Sequence, residues 1–271
     1  MSNALKHKQL GFTLVELVTV IILLGIVGTF SSRFISDNVV LYQTSVNQNE
    51  RLNDARFVIN RMSKELDSTI AFSVTQTPAI AGNTCIQFVP FTAAGQYLNS
   101  VLDEPMTLIM DKETRDLDDP NTNDFQGQYM SVLTTDASDF YSVPSDTFAE
   151  IDAYIQIPVS GAKSTQADIT LLSPLVRDSA VSRYFIAEKK VQYCLTQIGD
   201  AMRLSRSEAA LTSSVYPLSV LMVDNLSIGS RMSLTNASQF SNAILELNFN
   251  FLLRDGSAIK FEHQVVMTNV P

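Results

Sequence analysis

Hydrophobic and polar positions along this chain fall into three regimes. Across residues 12–30 about 19 consecutive positions are almost wholly apolar, and Glu16 is the only charge among them. At ~1.5 Å per residue a helix here reaches roughly 28 Å, the depth of one hydrocarbon core. From Arg33 polar residues return. Leu52, Ala55, Ile59, Met62, Leu66 and Ile70 then recur at three- and four-residue steps, the stripe of an amphipathic helix that packs on a sheet. One helix is therefore expected to run to about Ala71. Residues 12–77 contain no proline, which excludes a proline kink. Gly25 and Gly28 weaken the helix by up to ~1 kcal/mol each relative to Ala. Arg61 and Glu65 stand at i,i+4 and are expected on the solvated side.

Beyond the turn signals Pro78 and Gly82 the pattern becomes strand-like. Strands are expected at residues 85–91 and 106–110, with a loop at 93–105 between them. Others are expected at 129–133, 151–157, 183–187 and 191–195. Residues 160–167 read as a loop, and Glu188-Lys-Lys190 as a turn or an edge. The clearest local pattern is C-terminal: Leu245, Leu247, Phe249 and Phe251 alternate with Glu246, Asn248 and Asn250. Asp255-Gly256 supplies a turn, and Ile259, Phe261, Val265 and Met267 continue on a return strand. His263 shares the side of Phe261 and Val265, as a half-buried or edge histidine rather than a ligand. The fold class is thus α+β, a long N-terminal helix with an apolar and an amphipathic half packed on a β-rich body. Whether that body has one lobe or two is left open by the pattern.

A carboxylate inside an apolar helix costs at least ~2.5 kcal/mol unless it finds a partner, so Glu16 is a functional candidate. Gly11, Phe12, the run Thr13-Leu-Val-Glu16 and the apolar helix behind them resemble the N-terminus of a type IV prepilin or pseudopilin. The resemblance implies cleavage between Gly11 and Phe12 by a prepilin peptidase, with N-methylation of the new Phe12 amine. It implies assembly with major and minor sibling subunits on an inner-membrane platform, through the helix. In that setting the Glu16 carboxylate pairs with the Phe12 amine of a neighbouring subunit and sets the stagger, since mispaired buried charges are expensive. Phe12 and Glu16 also lie about one turn apart, so a contact within one helix is the alternative. The implied organisation is a leader at 1–11, a transmembrane and assembly helix at 12–30, an amphipathic continuation at 31–72 and a periplasmic body at 73–271.

Composition adds limits. The chain has 271 residues and a formal charge of −9, and loss of a leader carrying Lys6 and Lys8 makes this −11. An acidic body argues against nucleic acid as a partner. The leader lysines fit a cytoplasmic N-terminus in contact with membrane lipid, with the body on the periplasmic side. In that oxidising compartment the two cysteines, Cys85 and Cys194, suggest one disulfide, and two buried free thiols are the alternative. The loop closed would be worth up to ~4.7 kcal/mol in the chain-entropy model, less any strain. Two cysteines and two histidines make no metal-ligand set. Asp111, Glu113, Asp116, Asp118, Asp119 and Asp124 could offer oxygens to Ca²⁺, and calcium sites occur among pseudopilins. Residues 116–123 nevertheless lack the EF-hand pattern, so a solvated loop and no cofactor are expected. No nucleophile, phosphate-binding or zinc-protease motif is present, and the chain does not read as an enzyme.

The size of the chain resembles that of minor rather than major pilins. Arg183-Tyr-Phe-Ile-Ala187, Val191-Gln-Tyr-Cys194 and Asn269-Val-Pro271 are similar to minor prepilins of the mannose-sensitive haemagglutinin (MSHA) pilus. The layout is also similar to J-type minor pseudopilins of type II secretion. A tip adhesin is the remaining alternative.

Overall fold

The computed structural model describes residues 13–77, 83–110, 125–142, 145–157, 164–238, 240–253 and 256–268. Gly11, Phe12, the acidic positions 111–124, Asp255 and Asn269-Val-Pro271 lie outside the described residues, as do Pro78 and Gly82. The chain divides into two compact units, Met1–Arg51 and Leu52–Pro271. Helix α1, Leu14–Asp67, contributes to both.

In the first unit the apolar side chains of α1 are exposed, Leu24 by 65% and Phe30 by 74%. The helix is long and apolar enough to cross a membrane. Its first turn is capped by Thr13, whose hydroxyl oxygen accepts from the Glu16 N–H at 3.3 Å.

In the second unit α1 buries Ala55, Val58, Met62 and Leu66 completely. Leu52 and Ile59 are only half-buried, so the stripe is centred on Val58 rather than Ile59. The helix stops at Asp67, short of Ala71. The reason is local: Ser68 and Thr69 hydroxyls both donate to the Glu65 carbonyl, at 3.2 and 3.0 Å, and Thr69 bridges to Pro90. A single 3₁₀ turn, Ala71–Ser73, follows.

The strands are β1 Thr75–Gln76, β2 Thr84–Phe88, β3 Ala93–Tyr97, β4 Met106–Ile109, β5 Tyr129–Ser131, β6 Phe148–Gln156 and β7 Gln166–Leu171. After them come β8 Arg183–Ala187, β9 Lys189–Ile198, β10 Ala201–Ala210, β11 Ser219–Leu226, β12 Arg231–Thr235, β13 Ala243–Leu252 and β14 Ala258–Met267. A short helix, α2 Ala137–Tyr141, precedes β6 and is capped by Asp136.

These strands build two sheets. One is open, in the order β1-β2-β9-β10-β11-β13-β12, with β14 paired to β13. The other is a closed barrel, β3-β4-β7-β6-β5-β8, in which every pair is antiparallel. The helix stripe packs with Phe88, Tyr193, Leu204, Leu245, Leu247, Phe249 and Phe251 of the open sheet in one core. Leu108, Met130, Ile151, Ile169 and Ile186 help fill the barrel. A third cluster, including Ile70, Val89, Phe140, Phe148, Ala187 and Leu211, joins barrel to sheet.

Two expected loops and one expected turn or edge are corrected. Residues 93–105 begin with strand β3, whose small residues fit because the barrel is tight there. A Cβ at Gly95 would stand 2.8 Å from the Ile109 carbonyl oxygen and 2.9 Å from the Tyr184 hydroxyl. The expected loop at 160–167 gives way to β7 at Gln166, which closes the barrel between β4 and β6. Glu188-Lys-Lys190 is neither a turn nor an edge: only Glu188 separates β8 in the barrel from β9 inside the open sheet. The C-terminal hairpin forms as expected, with Phe249 opposite Phe261 and Leu247 opposite His263.

Candidate functional site

The first candidate is the start of α1. Glu16 lies in its first turn, where a carboxylate is favoured by the helix dipole. Its backbone is engaged at both ends: its N–H by Thr13, and its carbonyl by the Thr19 hydroxyl at 3.0 Å. Its carboxylate makes no hydrogen bond or ion pair among the described residues. It is surrounded in sequence by exposed Leu14, Val15, Leu17 and Val18. Among the described residues, this first turn offers a carboxyl group without a side-chain partner on an exposed apolar stretch. Gly11 and Phe12, the other expected processing residues, lie outside the described region.

A second glutamate of α1 behaves differently. Glu65 was expected on the solvated side with Arg61, and that contact is present, from Nε to Oε1 at 3.2 Å. The structure also draws Glu65 into the body. Arg206 Nε on β10 donates to both carboxylate oxygens, at 3.1 and 3.0 Å, and the Tyr193 hydroxyl on β9 donates to Oε2 at 3.0 Å. Arg206 Nη2 continues to Glu208, which Lys189 also reaches, each at 3.1 Å. Burial, with Glu65 beside it, pushes the Tyr193 phenol well above its ordinary range. The Lys189 hydrogen bond is the chief cause holding the Glu208 carboxyl low. This network fixes the azimuth of the amphipathic stretch of α1 on the open sheet. Its partners are 128 and 141 residues away in sequence, which is why spacing did not reveal them.

Cys85 and Cys194 form the expected disulfide. They face each other directly in the β2–β9 ladder, with Cα atoms 4.0 Å apart. His263 is half-buried, and its Nε2 lies 3.0 Å from the Ser63 hydroxyl on α1, a structural contact between hairpin and helix. Sequence reading also passed over Lys190. It is 6% exposed, its ammonium donates to the Leu211 carbonyl at 3.2 Å, and it sits 5.8 Å from the ring centres of both Tyr141 and Tyr216. Burial lowers its pKa. Among the described residues no group of three or more His, Cys, Asp or Glu is placed to hold a metal ion.

Residues 6–32 match the family model described as the prokaryotic N-terminal methylation motif. This is a prepilin-type N-terminus. The motif covers Glu16 and the exposed apolar part of α1, and together they support a type IV pilin- or pseudopilin-like structural subunit. The motif implies processing by a prepilin peptidase and pilin-type assembly, and with the apolar helix it suits a single-pass membrane-anchored protein. No curated protein and no solved structure matches the chain.

Proposed function

We propose that the chain is a minor pilin-like subunit that takes part in initiating, assembling or capping an MSHA-type type IV pilus, in the manner of the minor prepilin MshO. The observation that carries this reading is Glu16, without a side-chain partner among the described residues, on an exposed apolar helix inside an N-terminal methylation motif. In this reading the peptidase cuts after Gly11 and the Phe12 amine is methylated. The Glu16 carboxylate then pairs with such an amine on a neighbour. Inner-membrane insertion through residues 12–30 holds the subunit before extraction, and the β-rich body lies in the periplasm. Body-to-body contacts with sibling subunits select its place. A carboxylate with no partner among the described residues, on an exposed apolar stretch of helix, supports an intermolecular role.

The test is a deletion strain complemented with wild type or with Glu16→Ala, scored for surface pili and for exoprotein secretion. Loss of pili with normal secretion is the expected result. Loss of secretion with pili intact would transfer the chain to the J-type pseudopilins. If both persist and only surface attachment is lost, the subunit is an adhesive tip.

A further inference from the structure

A cleft with a volume of about 490 Å³ opens where the end of α1 meets the barrel wall. Cavities of this size can enclose an organic side chain. Phe72, Phe91 and Phe185 contribute half-buried rings to its lining, and the Phe91 and Phe185 ring centres are 5.5 Å apart. Several of its hydroxyls already have partners. Thr69 donates to the Glu65 carbonyl, Ser131 and Thr134 bond each other at 2.8 Å, and Thr134 donates to the Thr147 carbonyl.

Arg183 is different. It lines the cleft, is half-buried, and makes no side-chain hydrogen bond or ion pair among the described residues. A guanidinium carries five donors in a planar fork that matches a carboxylate. Removed in part from water and left unpaired, it is the group in the cleft with the most to gain from an anion. The backbone around it is held in an unfavourable shape. Leu133 in the lining has φ 49°, and Ser182, directly before Arg183, has φ 51°. Non-glycine residues occupy this region rarely, and such positions collect at ligand clamps. Asp67 shares the lining and is also unpaired among the described residues. Its charge disfavours a polyanion, so the ligand carries one carboxylate on an apolar stem.

We propose that this cleft binds a single carboxylate borne beside an apolar side chain, presented by a segment of a neighbouring subunit. The apolar part lies on the phenyl rings and the carboxylate takes the Arg183 fork. The identity of the presenting molecule rests on the subunit reading above; the preference for a carboxylate does not.

The probe is 3-phenylpropionate, titrated calorimetrically into the full-length protein in dodecyl maltoside with empty micelles as the blank. Its neutral amide serves as control. Wild type should bind the acid at least about tenfold more tightly than the amide, and Arg183→Gln should remove that difference. Because the Arg183 guanidinium has no partner in the described fold, Arg183→Gln should melt within a degree or two of wild type. Equal binding of acid and amide, or equal binding by wild type and Arg183→Gln, would overturn the site. In cells, Arg183→Gln should reduce assembled pili several-fold with Glu16 intact. Lost probe binding with undiminished assembly would overturn the subunit as ligand and leave a free small carboxylate. Failure of Glu16→Ala to affect assembly would instead strike the subunit reading, while the calorimetry would stand.

Discussion

Glu16 and Glu65 sit on one helix and meet opposite fates. Glu65 is held by Arg61, Arg206 and Tyr193 of its own chain. Glu16 has no such partner among the described residues. The apolar residues around them divide in the same way. Ala55, Val58, Met62 and Leu66 are fully buried, whereas Leu23 is 60% and Leu24 65% exposed. The same residue types therefore serve folding in one stretch and leave an unsatisfied surface in the other. A helix that folds the protein finishes its contacts within the chain. A helix that assembles or inserts leaves them for lipid or for other copies.

The sharpest test of this contrast is a pair of truncations. Leu66→Ala should destabilise the body by about 2–5 kcal/mol, because it empties a closed core. Leu23→Ala should change the same urea unfolding curve by less than about 0.5 kcal/mol. Similar losses from both would erase the distinction. Next in size is the Cys85→Ser/Cys194→Ser double variant, which should lose roughly 2–4 kcal/mol by the same measurement under oxidising conditions. Wild type in reductant should approach the double variant.

The glutamate contrast itself is sharpened by Glu65→Gln, expected to cost about 1–3 kcal/mol because it removes the carboxylate that accepts from Arg206 Nε and leaves that guanidinium, only 12% exposed, with Glu208 as its remaining anion. Arg61→Ala should cost about 0.5 kcal/mol or less, since that side chain is 43% exposed. A large Arg61 effect would mean that the solvated arm, not Arg206, anchors Glu65.

A separate effect concerns pH. Burial raises the Tyr154 phenol to about 12, whereas an unfolded chain ionises near 10. The folded state therefore holds this proton longer, and its stabilising contribution is complete below pH 10 and lost as pH rises towards 12. The melting temperature should be flat from pH 7 to 9 and fall above 10, and Tyr154→Phe should blunt the fall. A profile that Tyr154→Phe leaves unchanged would assign the alkaline loss elsewhere.

Much of the architecture was legible where periodicity was strong. The alternation Leu245, Leu247, Phe249, Phe251 placed its side chains on the buried face. Of the stripe expected from Leu52 to Ile70 the helix fully buries Ala55, Met62 and Leu66, while Leu52 and Ile59 are half-buried and Ile70 lies past the helix end. Strands of weak propensity were missed. Ala93-Ala-Gly-Gln-Tyr97 becomes a strand because the barrel requires small residues near Tyr184, a tertiary demand that local preference does not express. Ala201-Met-Arg-Leu-Ser-Arg-Ser-Glu-Ala-Ala210 buries Met202 and Leu204, but its short polar and alanine positions resemble a loop in sequence. In the candidate site, Glu16 was legible because a charge in an apolar run is conspicuous. The roles of Glu65 and Arg183 were not, because each depends on elements far apart in sequence.

The passage through Glu188 has a mechanical consequence. One residue separates a barrel strand from a strand lying between β2 and β10, and the Cys85–Cys194 bond pins that second strand to β2. There is no slack at this joint for barrel and sheet to swivel apart. A load applied to one is delivered to the other through a covalent ribbon already bolted crosswise to its neighbour. The body is thus suited to being pushed or pulled as one solid piece.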